Sequence, residues 1–243
     1  MKKALSPRIL VRVGILTTIL LILIIYTIWG NSALMVSTVN ISSDRIPSVF
    51  SNFRIAQVSD LHNTEFGEGN TKLIEILSEL KPDIIVITGD LIDARHTDIK
   101  IALDFVKGAV QIAPVYYVTG NHEANCSQYG QLKTGLEMAG VTILEDEALQ
   151  LECDGEMLTL IGISDPDFTI KGDIFNEVPG MVKAKLNSLI DDNNNYMILL
   201  SHRPELFETY VCCGVDLVLS GHTHGGQFRL PFIGGIVAPN QGL

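Results

Sequence analysis

The chain of 243 residues carries 28 acidic against 17 Lys and Arg residues, a formal net charge of -11, and 47% of it is apolar. That length buries a core without disulfide staples, and the composition excludes wholesale disorder. The acidic balance excludes a nucleic-acid backbone as a general partner, because such binding needs a positive footprint. An acidic protein that handles anions needs local cations, and metal ions are an available source.

In chain order, the first feature is an anchor. Lys2, Lys3, Arg8 and Arg12 lead into a run from Val13 to Trp29 with no charged residue. The run approaches the roughly 20 residues that cross a hydrocarbon core, with Tyr26 and Trp29 at its far end as interfacial aromatics. Residues 1–30 are therefore read as a membrane anchor, a single-pass helix. A cleaved signal peptide fits less well, since the apolar run is long and no clear small-x-small site follows. The basic residues before the helix predict a cytoplasmic amino terminus and a domain outside the cell membrane. Residues 31–50, rich in Ser, Asn and Thr, are read as a linker, and residues 51–243 as the folded domain.

The domain opens with a short apolar run, 53–59, predicted as a strand that ends at Asp60. Leu73, Ile74, Ile76, Leu77 and Leu80 mark a helix that stops near Lys81-Pro82. The β-branched run 84–88 ends at Gly89-Asp90. A helix carrying Ile99, Leu103, Val106 and Val110 follows, and strand 115–119 ends at Gly120-Asn121-His122. This rhythm predicts parallel crossovers in an α/β sheet. The middle reads as strands over 141–144, 149–153 and 157–163, with a hairpin turn at Asp154-Gly155. A helix over 182–190 and a strand over 196–200 come next, the strand ending at Ser201-His202. After a helix over 204–211, strand 215–219 ends at Ser220-Gly221-His222. Gly234-Gly235 and the 239–242 segment read as turns. Cys126, Cys153, Cys212 and Cys213 have no C-x-x-C spacing, and the Cys212-Cys213 pair is expected in the core.

Five predicted strands thus end in a metal-compatible residue: Asp60, Asp90, Asn121, His202 and His222. In open α/β sheets the carboxyl ends of strands form the ligand site, so these residues can converge. Singly, each has an ordinary structural reading. Asp60 accepts turn hydrogen bonds, Asp90 or His202 caps a helix, and Asn121 suits a turn. His96 is read as a solvated loop residue. The segment Gly221-His222-Thr223-His224-Gly225-Gly226 is harder to explain that way, and its two histidines point in one direction if the segment is extended.

Together, Asp60-x-His62, Gly89-Asp90, Gly120-Asn121-His122, Ser201-His202 and Gly221-His222-x-His224 resemble the signature of the calcineurin-like metallophosphoesterases. The runs Leu200-Ser201-His202-Arg203-Pro204 and Gly221-His222-Thr223-His224-Gly225-Gly226-Gln227 resemble its branch of membrane-associated bacterial phosphodiesterases and UDP-2,3-diacylglucosamine pyrophosphatases. The resemblance implies an α/β fold, a two-sheet β-sandwich flanked by helices. It implies two divalent ions (Mn, Fe or Zn), the first held by Asp60, His62 and His224 and the second by Asn121, His202 and His222. Asp90 bridges them, and a hydroxide shared by the ions attacks phosphorus. His122 then protonates the leaving oxygen or stabilises the transition state, with Glu123 and Asp93 as orienting neighbours. The implied substrate is a phosphodiester, a phosphomonoester or a pyrophosphate, and the anchor suggests a lipid- or envelope-linked one. The resemblance also implies strands after His224 that a chain ending at Leu243 cuts short. The alternative is a catalytically silent metal-binding or protein-binding scaffold; the intact Asp90 and His122 argue against it. No H-E-x-x-H motif occurs, which removes the signature of a zinc peptidase.

Overall fold

A computed structural model describes residues 6–170, 177–191, 193–224, 228–230 and 234–237. The chain divides into two compact units, Met1–Ile41 and Ser42–Leu243. In the first, α1 (Pro7–Ser32) exposes its described side chains. At 1.5 Å per residue it is about 39 Å long, and its span Pro7–Thr27 is long and apolar enough to cross a membrane. Thr17, Thr18 and Thr27 return their hydroxyls to carbonyls four residues back, so they add no unpaired polar group to an apolar helix.

The second unit is built on two four-stranded sheets. In the first, β1 (Ile55–Val58), β2 (Ile84–Thr88), β3 (Val115–Val118) and β4 (Thr142–Ile143) lie side by side in chain order, all parallel. The crossovers carry α2 (Thr71–Leu80), α3 (Ile99–Ala109), and the pair α4 (Asn121–Ala124) and α5 (Tyr129–Ala139). The second sheet is β5 (Glu147–Cys153), β6 (Glu156–Gly162), β7 (Tyr196–Leu200) and β8 (Leu217–Leu219), again in chain order. There β5 and β6 form an antiparallel hairpin, while β6, β7 and β8 run parallel through α6 (Val178–Leu189) and α7 (Phe207–Cys212). Positive φ at both Asp154 and Gly155 gives that hairpin the turn handedness that matches strand twist. A separate antiparallel ribbon joins β9 (Phe228–Leu230) to β10 (Gly234–Val237).

The pleat explains the layers. On β2, Ile84 and Val86 join Val118, Leu158, Leu160, Ile198 and Leu200 between the two sheets. Ile85 and Ile87, completely buried, point to the opposite face. A strand covered on both sides has to read as an unbroken β-branched run, and 84–88 does. Each such side chain contributes about 1.5–3 kcal/mol through burial. On β7, Leu199 turns away from that layer and packs with Val182, Leu186 and Tyr210 beneath the helices.

Two expectations need correction. The Gly234-Gly235 pair lies in β10 rather than in a turn. Cys212 is exposed and Cys213 half-buried, so the pair is not core, because it sits where α7 ends at the surface. Helices α4 and α5 had no forecast. The first is a single turn, and the second carries Gly130 and Gly135, where a Cβ on Gly135 would press on the end of the Leu103 side chain at 2.7 Å. The Pro239-to-Gly242 turn expectation lies outside the described residues.

Candidate metal centre

Because β1, β2, β3, β7 and β8 all point their carboxyl ends the same way, both sheets deliver their terminal residues to one edge. Asp60, Asp90 and Asn121 arrive from the first sheet, and His202 and His222 from the second. The two halves are stitched directly, since both carboxylate oxygens of Asp60 accept the backbone N–H of His222, at 3.0 and 3.1 Å.

Three groups of donor atoms result. Asp60, His62 and His224 form an outer group and Asp90, His202 and His222 an inner one, each able to close on a single ion, while Asp93 and His122 form a third that shares His62 with the outer group. In the outer group the Nε2 atoms of His62 and His224 are 3.2 Å apart, with stacked rings. Asp60 Oδ1 is 3.9 Å from the first and 3.6 Å from the second. In the inner group His202 Nε2 meets Asp90 Oδ2 at 3.1 Å, Asn121 Oδ1 at 3.1 Å and His222 Nδ1 at 3.3 Å. Asp90 Oδ2 also lies 3.6 Å from His62 Nε2, so this one carboxylate is shared between the outer and inner groups.

The backbone makes that crowding possible. Asp60, His62, Asp90, His222 and His224 all have positive φ, between 46° and 71°. Such strain in residues with a Cβ concentrates at functional sites. Two glycines are needed for close approach rather than freedom of rotation. A Cβ on Gly120 would sit 2.3 Å from Asp90 Oδ1, and one on Gly221 would sit 2.0 Å from Ser59 Oγ and 2.7 Å from Asp60 Oδ2.

The left-handed turn also corrects the expectation for Gly221 to Gly226. An extended segment would send His222 and His224 the same way, whereas positive φ at both residues sends them to different groups.

Hydrogen bonds fix the ring orientations. His202 Nδ1 donates to the Thr88 carbonyl at 2.8 Å, which leaves Nε2 for the inner group. His122 Nδ1 accepts the Ala94 N–H at 3.0 Å, so a neutral ring carries its proton on Nε2. The His122 backbone N–H donates to Asp90 Oδ1 at 2.8 Å. Glu123, fully buried, accepts N–H groups from Asp90 and Gly120 at 2.8 Å and from Ile92 at 3.2 Å. It therefore fixes the two loops that present Asp90 and Asn121. Asp93 accepts from the N–H groups of Arg95 and His96 and stands beside His62 and His122. His96 is exposed.

The electrostatics follow from burial and neighbours. Burial pushes the Asp90 carboxyl up, but the hydrogen bond and charge of His202 and the His122 N–H outweigh it and hold it at about 2. His202 shows the converse: burial lowers it, and Asp90, Asp60 and the Thr88 carbonyl raise it to about 9. Burial, with the charges of Arg203 and His202, lowers His222 to about 3. Burial and the nearby Asp90 charge lift Glu123 to about 7 against its three N–H donors. His62 is lowered by burial and then by His122 and His224, against the pull of Asp90 and Asp60.

Sequence reasoning missed the support behind the inner group. Arg203, buried, lays its guanidinium on Asp165 at 2.6 and 2.9 Å and on Asp167 at 3.0 Å. Asp165 in turn donates its N–H to Thr119 Oγ1 at 3.0 Å, tying the ends of β3, β6 and β7. Tyr210 closes the set by donating its hydroxyl to the Arg203 carbonyl at 2.7 Å. Arg203 was visible as the residue after His202, but nothing local marks Asp165 as its partner.

The donor set suits divalent transition ions. It holds imidazole nitrogens with carboxylate and amide oxygens, and no thiolate stands among them. Imidazole nitrogens aimed at one another at about 3.2 Å either share protons or converge on a cation. His62, Asp90, Asp93, Asn121, His122, His222 and His224 line a cavity of about 420 Å³ over these atoms.

The calcineurin-like phosphoesterase profile matches residues 53–226. The chain belongs to that family. Among calcineurin-like phosphoesterase relatives, the uncharacterised metallophosphoesterase YkuE of Bacillus subtilis is 31% identical, over 83% of this chain and 68% of its own length. Phosphodiesterase YaeI of Escherichia coli is 28% identical, over 77% of this chain and 66% of its own. The chain spans 42% of a relative from Caenorhabditis elegans and 55% of one from Campylobacter jejuni. The solved structure of TT1561 from Thermus thermophilus shares the fold, with a TM-score of 0.52 at 15% identity over 70% of this chain and 81% of that one.

Proposed function

We propose that this calcineurin-like phosphoesterase chain hydrolyses phosphodiesters with two divalent ions, one in the outer and one in the inner group. The observation that carries the reading is Asp90 Oδ2, which faces His202 Nε2 at 3.1 Å and His62 Nε2 at 3.6 Å. A carboxylate shared by two imidazole groups is what a pair of neighbouring cations requires. Bound there, Mn, Fe or Zn ions would make water a nucleophile at neutral pH and neutralise charge on the phosphoryl oxygens. Asp60, His62 and His224 would hold one ion, Asn121, His202 and His222 the other, with Asp90 between them.

The remaining residues act on protons and position. His122, with Nδ1 accepting from Ala94, offers its Nε2 proton to the leaving oxygen inside the cavity. Glu123 keeps the Asp90 and Gly120 backbones in place while doing so. The name of the Escherichia coli relative supports a diester over a monoester or pyrophosphate. Lys2 and Lys3 before the apolar helix, with Arg8 and Arg12 in its first turns, support a cytoplasmic amino terminus and an extracytoplasmic domain in a cell membrane, where an envelope-linked phosphoester would be within reach.

The test is hydrolysis of a diester, a monoester and a lipid pyrophosphate by the full chain in detergent, reconstituted with Mn²⁺. The diester is expected to turn over fastest, and a chelator to abolish all activity. Hydrolysis that survives complete chelation, or no hydrolysis of any substrate with ions bound, would overturn the reading.

A further inference from the structure

Glu205 sits in the turn after β7, with its side chain only 4% exposed. Its Oε1 meets Arg203 Nη1 at 3.4 Å and lies 4.0 Å from His222 Nε2. Its Oε2 is buried and has no hydrogen-bond partner among the described residues. The buried carboxylate as a whole is thus short of donors, which is costly, and the oxygen that faces His222 is Oε1. The Nδ1 of His222 faces His202 Nε2 at 3.3 Å, inside the inner group, so its other ring nitrogen is the one turned toward Glu205. An imidazole that ligates through Nδ1 carries its proton on Nε2, and such histidines donate that proton to a carboxylate or carbonyl. Closing 4.0 Å to an ordinary hydrogen-bond length takes little more than 1 Å. Arg203, clamped by Asp165 and Asp167, keeps the Glu205 carboxylate on that side.

We propose that Glu205 is the positioning residue for His222, receiving its Nε2–H and aiming Nδ1 at the inner ion. The proposal rests on the metal-centre reading above. The test uses the full chain in detergent, stripped of metal and titrated with Zn²⁺ by calorimetry. Glu205→Ala is expected to weaken binding of the inner ion about 10–100-fold and leave the outer ion unchanged. In the Zn²⁺-loaded protein, the Nε2–H proton resonance of His222 is expected to move in Glu205→Gln, which keeps the shape of the side chain. That readout would not respond to a purely structural role and serves even where the alanine variant does not fold. A folded Glu205→Ala that binds both ions with wild-type affinity, or an unmoved His222 resonance in Glu205→Gln, overturns the proposal. A wild-type chain that takes up no ion overturns the metal-centre reading itself, and this proposal with it.

Discussion

The outer and inner groups use similar donors in different surroundings. The His202 side chain is 0% exposed and fixed by the Thr88 carbonyl, whereas the His224 side chain is 38% exposed. The inner group is a preset cluster in which Asp90 and His202 form a buried, hydrogen-bonded charge pair. The outer group lies near water at the end of a short left-handed turn. Preorganisation therefore differs across a few ångströms, and the shared Asp90 carboxylate is where the two regimes meet.

The strongest way to break the comparison is to remove what the groups share. Asp90→Ala is expected to lose both ions and lower turnover by about 10³-fold or more, because each ion loses a ligand. Full two-ion content by elemental analysis in that variant would show the groups to be independent. His122→Ala, which belongs to neither the outer nor the inner group, is expected to keep both ions and lower turnover by about 10²–10⁴-fold. Turnover at the wild-type rate with both ions bound would remove His122 from the reaction.

Proton release sharpens the contrast. His202 is held up to about 9, so at pH 7 it carries a proton that an inner ion must displace. His222 lies at about 3, so it is neutral there and has no second proton to release. Inner-ion affinity is thus expected to rise with pH until about 9 and then level off, with about one proton released per inner ion at pH 7. Calorimetry in two buffers of different ionisation enthalpy measures that number; a value of zero would contradict the charge pair. The smallest effect belongs to the solvent side. His224→Ala is expected to weaken the outer ion about tenfold and spare the inner one. A loss confined instead to the inner ion would reverse the assignment of the two groups.

Much of the fold was legible because buried parallel strands leave little freedom in sequence. The run 84–87 is apolar throughout since both of its faces are covered, and Asp90 follows where the strand reaches the edge. The same logic located His202 after Tyr196–Leu200. Helix α5 was not legible, because Gly130 and Gly135 weaken its apolar pattern, and the second lies against the Leu103 side chain of α3. Nor was the bond between Arg203 and Asp165, which joins residues far apart in the chain that meet only when β6 and β7 pair. Glu205 had no signal beyond its nearness to His202.

The sequence by itself determined which donors exist and that each stands at the end of a strand, since burial dictates residue type along each strand independently of its neighbours. The resemblance of its motifs implied the grouping and a shared Asp90, but only the tertiary structure decided which ring nitrogen each histidine presents and how closely Asp90 approaches each group. Those outcomes depend on two sheets stacking and on backbone angles at single turn residues. A rotation at His222 or His224 redirects a ring by several ångströms without changing any letter of the sequence.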